Sequence, residues 1–248
     1  MNKKQTAGQK AAEWIKDGMK VGLGTGSTVY YTILELGERL KNERLQIDAI
    51  PTSKETEKLA QSLGIPLTTF ADVTRLDVVI DGADAVTPTY DLIKGGGGAL
   101  LREKLVAKSA DTFIVVVDDS KQVNDFKGLP IPIEIVPFAF QTTMQRISTF
   151  SSELALRMKK PNAVGAVNAV NEPFVTDNGN YVVDAKFAHM DSIGSPAKLH
   201  EKLKSLTGVV ETGLFTGMAD IVVVGCDEGA KVFRKVNADY HAEALNDF

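Results

Sequence analysis

Residues 94 to 104 read Lys94-Gly95-Gly96-Gly97-Gly98-Ala99-Leu100-Leu101-Arg102-Glu103-Lys104. Each glycine loses more backbone freedom on folding than any other residue type, a cost that fits places where the backbone approaches something closely. Packing alone gives no reason for four in a row. Lys94 supplies a fixed positive charge beside that approach, and Glu103 supplies a titratable carboxylate. This combination suits an anionic, polyhydroxylated small molecule. Glu103 falls in the first turns of an expected helix, so a rigid element aims it, and the positive end of the helix keeps it ionised and ready to take a proton. Taken by itself, Glu103 is ordinary N-terminal helix charge. Lys94 and the glycines shift that balance.

Three other loops add to the picture. Gly22-Leu23-Gly24-Thr25-Gly26-Ser27-Thr28 follows an apolar strand and opens a helix. Glycines there expose backbone N–H groups, the hydroxyls of Thr25, Ser27 and Thr28 add donors, and the helix end adds partial positive charge, so phosphate is a natural guest. The loop is not a dinucleotide fingerprint. The third glycine of that pattern is replaced by Ser27 or Val29, and Ile50-Pro51-Thr52-Ser53 at the end of the second strand offers no acid for a ribose hydroxyl. Nor is it a P-loop, because no Gly-Lys-Ser/Thr follows. The plainer alternative is a tight turn with Ser/Thr capping. Asp81-Gly82-Ala83-Asp84 directly follows a strand ending at Ile80, and ligands of open α/β sheets lie beyond the carboxyl ends of the strands. Two carboxylates there can move sugar hydroxyl protons, and the alternative is a surface Asp-Gly turn. Magnesium can use one or two carboxylates with phosphate, but lysines are already available to neutralise a phosphate, so no metal is expected. Asp118-Asp119-Ser120-Lys121 closes another strand. There Lys121 is a second phosphate or carbonyl contact, and Asp119 reads as solvated.

The elements that position these loops follow from periodicity. Strands are expected at Val21–Leu23, Ile47–Ile50, Leu76–Ile80 and Phe113–Val117. Helices are expected at Thr28–Lys41, Lys54–Leu63 and Ala99–Ser109. Apolar strands without alternation, set between helices, imply a parallel sheet covered on both faces. After Asp118 the pattern changes. Pro130, Pro132 and Pro137 suggest a boundary. A helix is expected over Phe138–Phe150, a hairpin turn at the Asn178-Gly179 pair and a helix over Ser195–Leu206. The expected architecture is a Rossmann-like parallel-sheet domain (residues 1–128 and 206–248) with a smaller α+β domain carrying an antiparallel sheet (residues 129–205), the tail rejoining the first sheet. Trp14 reads as a packing anchor on an N-terminal helix, and Cys226 as a small buried apolar residue.

Of 248 residues, 44% are hydrophobic and 24% charged, which fits a packed globule. A net charge of -4 and the absence of a basic stripe disfavour nucleic acid as a partner. No apolar run approaches the length of a membrane span, and the polar N-terminus shows no secretory signal. A cytoplasmic protein is expected. One cysteine and the scattered His189, His200 and His241 show no metal-ligand spacing.

In this order the loops resemble the type A ribose-5-phosphate isomerase family. The matching pieces are Gly24 to Thr28, Asp81 to Asp84, Lys94 to Glu103, Ser120 to Val123, Pro132 to Ile135, Val175 to Asn180 and Gly208 to Phe215. The resemblance implies an aldose-ketose isomerase that interconverts ribose 5-phosphate and ribulose 5-phosphate, a homodimer or homotetramer, and no metal or organic cofactor. It places the catalytic base on Glu103 and other catalytic or substrate-contacting positions on Asp81, Asp84, Lys94 and Lys121. The phosphate loop falls on Thr25, Gly26, Ser27 and Thr28, with Gly82, Ala83, Gly95, Gly96 and Gly97 as further substrate contacts. Ala85 stands where the family often has an acid, and Leu101 where it often has threonine; neither is a proposed catalytic position. Related phosphosugar deaminases and lactonases lean on histidine, and none precedes His189 here. A sugar-phosphate sensor would need no base, and so few residues before Val21 leave no room for a fused DNA-binding domain. An idle paralogue is the remaining alternative.

Overall fold

The computed structural model describes residues 2–159, 172–188 and 193–235, so His189 and His241 lie outside the described residues. The chain forms two compact units. One comprises Met1–Leu92, Arg102–Asn124 and Phe215–Phe248, and the other Ile93–Leu101 and Asp125–Leu214.

In the first unit the elements are α1 (Lys3–Ala12), β1 (Lys20–Leu23), α2 (Val29–Glu43), β2 (Asp48–Pro51), α3 (Lys54–Ser62) and β3 (Leu76–Gly82). The short strands β4 (Ala85–Val86) and β5 (Leu92–Ile93) follow, then α4 (Leu100–Lys108) and β6 (Ala110–Asp118). Six strands form one sheet in the order β13-β12-β6-β3-β1-β2, where β12 is Ile221–Cys226 and β13 is Gly229–Arg234. Neighbours are parallel except the edge strand β13, which pairs antiparallel with β12. The β-branched runs alternate between two cores. Val78, Ile80, Ile114, Val116 and Val223 join Ala7, Ala11, Ile33 and Leu36 from α1 and α2. Val79, Phe113, Val115, Val117, Val222 and Val224 join Val106 and Ala107 from α4. Each strand therefore buries both of its faces, which is why the runs lack polar alternation.

The second unit carries an antiparallel sheet of β10-β7-β9-β8. Here β7 is Ile131–Ile135, β8 Glu153–Leu156, β9 Tyr181–Lys186 and β10 Val209–Thr212. Helix α5 (Phe140–Ser148) and a helix over Pro196–Lys204 supply Ile147, Leu199 and Leu203 to the core. Ser195 caps the latter helix by accepting from the Lys198 N–H at 3.2 Å. The turn after Thr176 contains Asn178-Gly179, with Gly179 at φ +80. It is latched to β7 through Glu134, whose Oε1 accepts from Thr176 Oγ1 at 3.0 Å, Asn178 Nδ2 at 3.2 Å and Asn180 Nδ2 at 2.8 Å. Its other oxygen is buried and has no hydrogen-bond partner among the described residues.

Three expectations need correction. The tail does not return directly to the first sheet. Val209–Thr212 pairs antiparallel with β7 in the second unit, and the first sheet is rejoined at Ile221–Cys226. The glycine loop, expected with the first domain, groups with the second unit, because the Lys94 N–H donates to the Gly213 carbonyl at 2.8 Å and the Gly213 N–H to the Pro132 carbonyl at 2.7 Å. Cys226 is only partly buried, its thiol lying 3.2 Å from the Gly229 carbonyl at the turn between β12 and β13. Trp14 lies beyond the end of α1 and packs against the first core.

Candidate active site

Register places three of the loops side by side. Leu23 pairs with Ile80 and Gly82 with Val116, so the carboxyl ends of β1, β3 and β6 emerge together. Asp81 is wholly buried there. Its Oδ1 accepts from the Thr25 N–H at 3.0 Å and from the Gly82 N–H at 2.7 Å. A side chain on Gly24 would overlap the Asp81 carboxylate and its Cα. The glycine therefore lets β1 close on β3, and Asp81 in turn fixes the loop. Gly24→Ala is expected to destabilise the protein by about 1–3 kcal/mol, the usual range for overpacking, and to displace Asp81. Thermal unfolding and kcat measured together test this, and wild-type values for both would contradict it.

The loop hydroxyls divide into two groups. Thr25 Oγ1 turns inward to Thr52 Oγ1 at 2.7 Å, Ser53 Oγ at 2.8 Å and Thr56 Oγ1 at 3.1 Å. Thr56 in turn donates to the Gly24 carbonyl at 2.8 Å, so the end of β2 braces the loop. Ser27 is exposed, and Gly26 sits at φ +124 with open space around it. Thr28 occupies the cap position of α2 yet its side chain makes no capping bond. The capping alternative therefore does not account for these hydroxyls, and no side chain at that position takes up the first N–H groups of a 15-residue helix.

Lys4, on α1, donates to Ser27 Oγ at 2.9 Å. Sequence reading missed this residue, because nothing local to α1 distinguishes Lys4 from its neighbours; only the packing of α1 beside β6 and β12 brings it here. Asp118 closes β6. Burial opposes its ionisation, but the hydroxyl and N–H of Ser120 and the charges of Lys4 and Lys121 outweigh burial and hold its carboxyl below the usual range. Lys4 and Lys121 thus lie on the same end of the sheet. Asp119, expected to be solvated, has a partly exposed side chain that also pairs with Lys3 at 2.8 Å.

Glu103 lies in the first turn of α4 and is only 4% exposed. A helix joining two adjacent parallel strands runs back against them. Its first turn therefore lies at the strand end from which Asp81 emerges. Asp84 is exposed, with Gly82 and Ala83 between it and Asp81 partly buried. Lys94 is 2% exposed. Of the four glycines after it, two serve the fold itself. Gly95 at φ +98 packs on Leu100 and Pro132, and a side chain on Gly98 at φ +80 would overlap the Phe174 ring. Gly96 and Gly97 are exposed. Among the described residues, no group of three or more His, Cys, Asp or Glu could hold a metal ion.

The family model described as ribose 5-phosphate isomerase A (phosphoriboisomerase A) matches residues 48–229. The chain belongs to the ribose 5-phosphate isomerase A family. Ribose-5-phosphate isomerase A of Bacillus mycoides strain KBAB4 is 48% identical over 233 residues, covering 94% of this chain and all of that protein. The same-named protein of Thermoplasma acidophilum is 44% identical, covering 98% of this chain and 95% of its own. Among solved structures, ribose 5-phosphate isomerase A of Methanocaldococcus jannaschii superposes with a TM-score of 0.84 at 36% identity, over 94% of this chain and 99% of that one. A D-ribose-5-phosphate isomerase in complex with phospho-erythronic acid also reaches 0.84, at 40% identity, over 94% of this chain and all of that one. Both isomerase structures agree with a parallel-sheet unit and a separate antiparallel sheet. Among the described residues, no helix is long and apolar enough to cross a membrane.

Proposed function

We propose that this chain interconverts D-ribose 5-phosphate and D-ribulose 5-phosphate through an enediolate, with Glu103 as the base. The observation that carries this reading is the placement of Glu103. It is a buried carboxylate on the first turn of α4, at the sheet end where the Asp81 and Thr25–Thr28 loops emerge, in a chain of the isomerase A family. The sugar first opens. Asp81 or Asp84 moves the ring hydroxyl proton as general acid or base. Glu103 then takes the C2 proton, α to the carbonyl, and returns it to C1, while the C2 hydroxyl proton passes to the C1 oxygen as the enediolate collapses. Lys94 stabilises the oxygen on which negative charge develops. The phosphate is held by Gly26, Ser27, Thr28 and the N–H groups of α2, with Lys4 and Lys121 supplying charge. Thr25 keeps the loop in shape, since its hydroxyl is committed to Thr52, Ser53 and Thr56 and its N–H to Asp81. Holding the phosphate fixes the reacting carbons against Glu103, and positioning of this kind lowers barriers by about 7–11 kcal/mol in favourable cases.

The same reading takes the working protein as a cytoplasmic homodimer or homotetramer that needs neither metal nor organic cofactor. The test is isomerisation of ribose 5-phosphate by purified protein in EDTA, read as ketose formation. Turnover in EDTA is the expected result. Thermal protection by ribose 5-phosphate without turnover would favour a sensor or an idle paralogue, and neither turnover nor protection would overturn the substrate assignment.

A further inference from the structure

We propose that Arg157, held by Asp184, is a positioning residue for this reaction, fixing the glycine loop that carries Lys94. The inference rests on the proposed role of Lys94.

Arg157 follows β8, and its main chain is tied on both sides. Its N–H donates to the Val182 carbonyl at 2.8 Å and its carbonyl accepts from the Phe174 N–H at 2.8 Å. The guanidinium then divides its donors between two tasks. Nε donates to Asp184 Oδ2 at 2.9 Å and Nη2 donates to Oδ1, a bidentate pair that fixes the plane of the group. Nη1 donates to the Gly95 carbonyl at 2.8 Å and to the Gly96 carbonyl at 3.2 Å. The guanidinium also lies 5.9 Å from the centre of the Phe174 ring, the ring that closes against Gly98. One side chain therefore holds two successive loop carbonyls and the aromatic wall beside the loop.

This arrangement has a directional consequence. In a planar trans peptide the N–H points opposite to the carbonyl of the same unit. With both carbonyls drawn toward Arg157, the N–H groups of Gly96 and Gly97 point away from it. These are the two exposed glycines of the loop. Within the loop the Gly98 N–H closes a turn onto the Gly95 carbonyl at 2.9 Å, while glycine itself admits many backbone conformations. Arg157 adds to that restraint by tying the turn, at the residues immediately after Lys94, to β9 through Asp184. Lysine cannot replace it, because a single ammonium lacks the fork that grips Asp184 while a separate N–H reaches the loop.

The experiment compares Arg157→Ala, Arg157→Lys and Lys94→Ala as full-length purified proteins. For Arg157→Ala the expected result is a kcat about 10²-fold lower, the size of effect a misplacement of about 1 Å produces, with the KM for ribose 5-phosphate changed far less. Added guanidinium ion at millimolar concentration should restore part of the kcat of Arg157→Ala and none of that of Lys94→Ala. A merely structural role would instead lower the melting temperature and the active fraction while leaving kcat per active site unchanged, and that result overturns the proposal. If Lys94→Ala loses kcat while Arg157→Ala keeps it, the positioning role is wrong and the role of Lys94 stands. If Lys94→Ala keeps kcat, the Lys94 assignment fails and takes this proposal with it. Should Arg157→Ala not fold, Arg157→Lys carries the same comparison, and a wild-type kcat in that variant overturns the proposal.

Discussion

Glu103→Gln protein is expected to bind ribose 5-phosphate and fail to isomerise it. Glutamine keeps the shape and hydrogen-bonding reach of the side chain but cannot accept a proton from carbon at any useful rate. General acid–base groups contribute about 10²–10⁴-fold to catalysis. The loss should lie at the upper end of that range, because the same carboxylate both removes and returns the proton. Burial to 4% exposure leaves little room for water to substitute as the base. Thermal protection by substrate should survive, since phosphate contacts are proposed on the Thr25–Thr28 loop and not on α4. Two measurements check this together: kcat by ketose formation, and exchange of the substrate C2 proton with deuterated water by NMR. Both should vanish. A variant that retained most of its kcat would mean that another group is the base.

Lys94→Ala is expected to lower kcat by about 10²–10³-fold, the usual loss when one preorganised donor to a developing oxyanion is removed. The position is well prepared for that role. Lys94 is among the largest fully buried side chains, and its backbone is joined to Gly213, which is itself joined to Pro132. A side chain on Gly213 would overlap the Lys94 carbonyl, so the chain approaches there as closely as only glycine permits. The energetic logic is that a charge already desolvated and fixed needs no reorganisation as the oxyanion forms. Binding should also weaken where substrate oxygens contact the ammonium in the ground state. The ratio of the two effects, read as kcat against KM at saturating substrate, separates transition-state from ground-state contact. An unchanged kcat would remove Lys94 from the mechanism.

How far these assignments were legible in the sequence depends on where the information lies. The strand-to-helix loops were legible because they are local: a β-branched run, glycines, hydroxyls and an amphipathic stretch follow one another within a dozen residues. The same locality makes Asp81, Glu103 and Lys94 candidates from the sequence alone. Residues that act across long separations were not legible. Lys4 reaches Ser27 only because α1 packs beside β6 and β12, and Arg157 reaches Gly95 only because β8 pairs with β9. Neither has a spacing signature. Four consecutive glycines suggest one shared reason, yet the four divide. Gly95 and Gly98 answer to φ and packing within their own unit, and Gly96 and Gly97 are the exposed pair. The Val209–Thr212 run was assigned to the wrong sheet, because strand propensity reports that a segment is extended and says nothing of which edge it finds.

The latch between Glu134 and the turn at Asn178-Gly179 bears on how the protein ages. An asparagine before glycine is prone to deamidate, because the unhindered glycine nitrogen attacks the side-chain amide and closes a succinimide ring. In the folded chain both reacting groups are occupied: the Gly179 N–H donates to the Thr176 carbonyl at 3.0 Å, and the Asn178 amide donates to Glu134 at 3.2 Å. Ring closure needs the turn to open first. Once it has opened and the amide has hydrolysed, the new carboxylate faces the buried Glu134 carboxylate with one donor fewer, and like-charge repulsion resists re-closure. Each molecule therefore carries a slow chemical record of how often this turn has come undone.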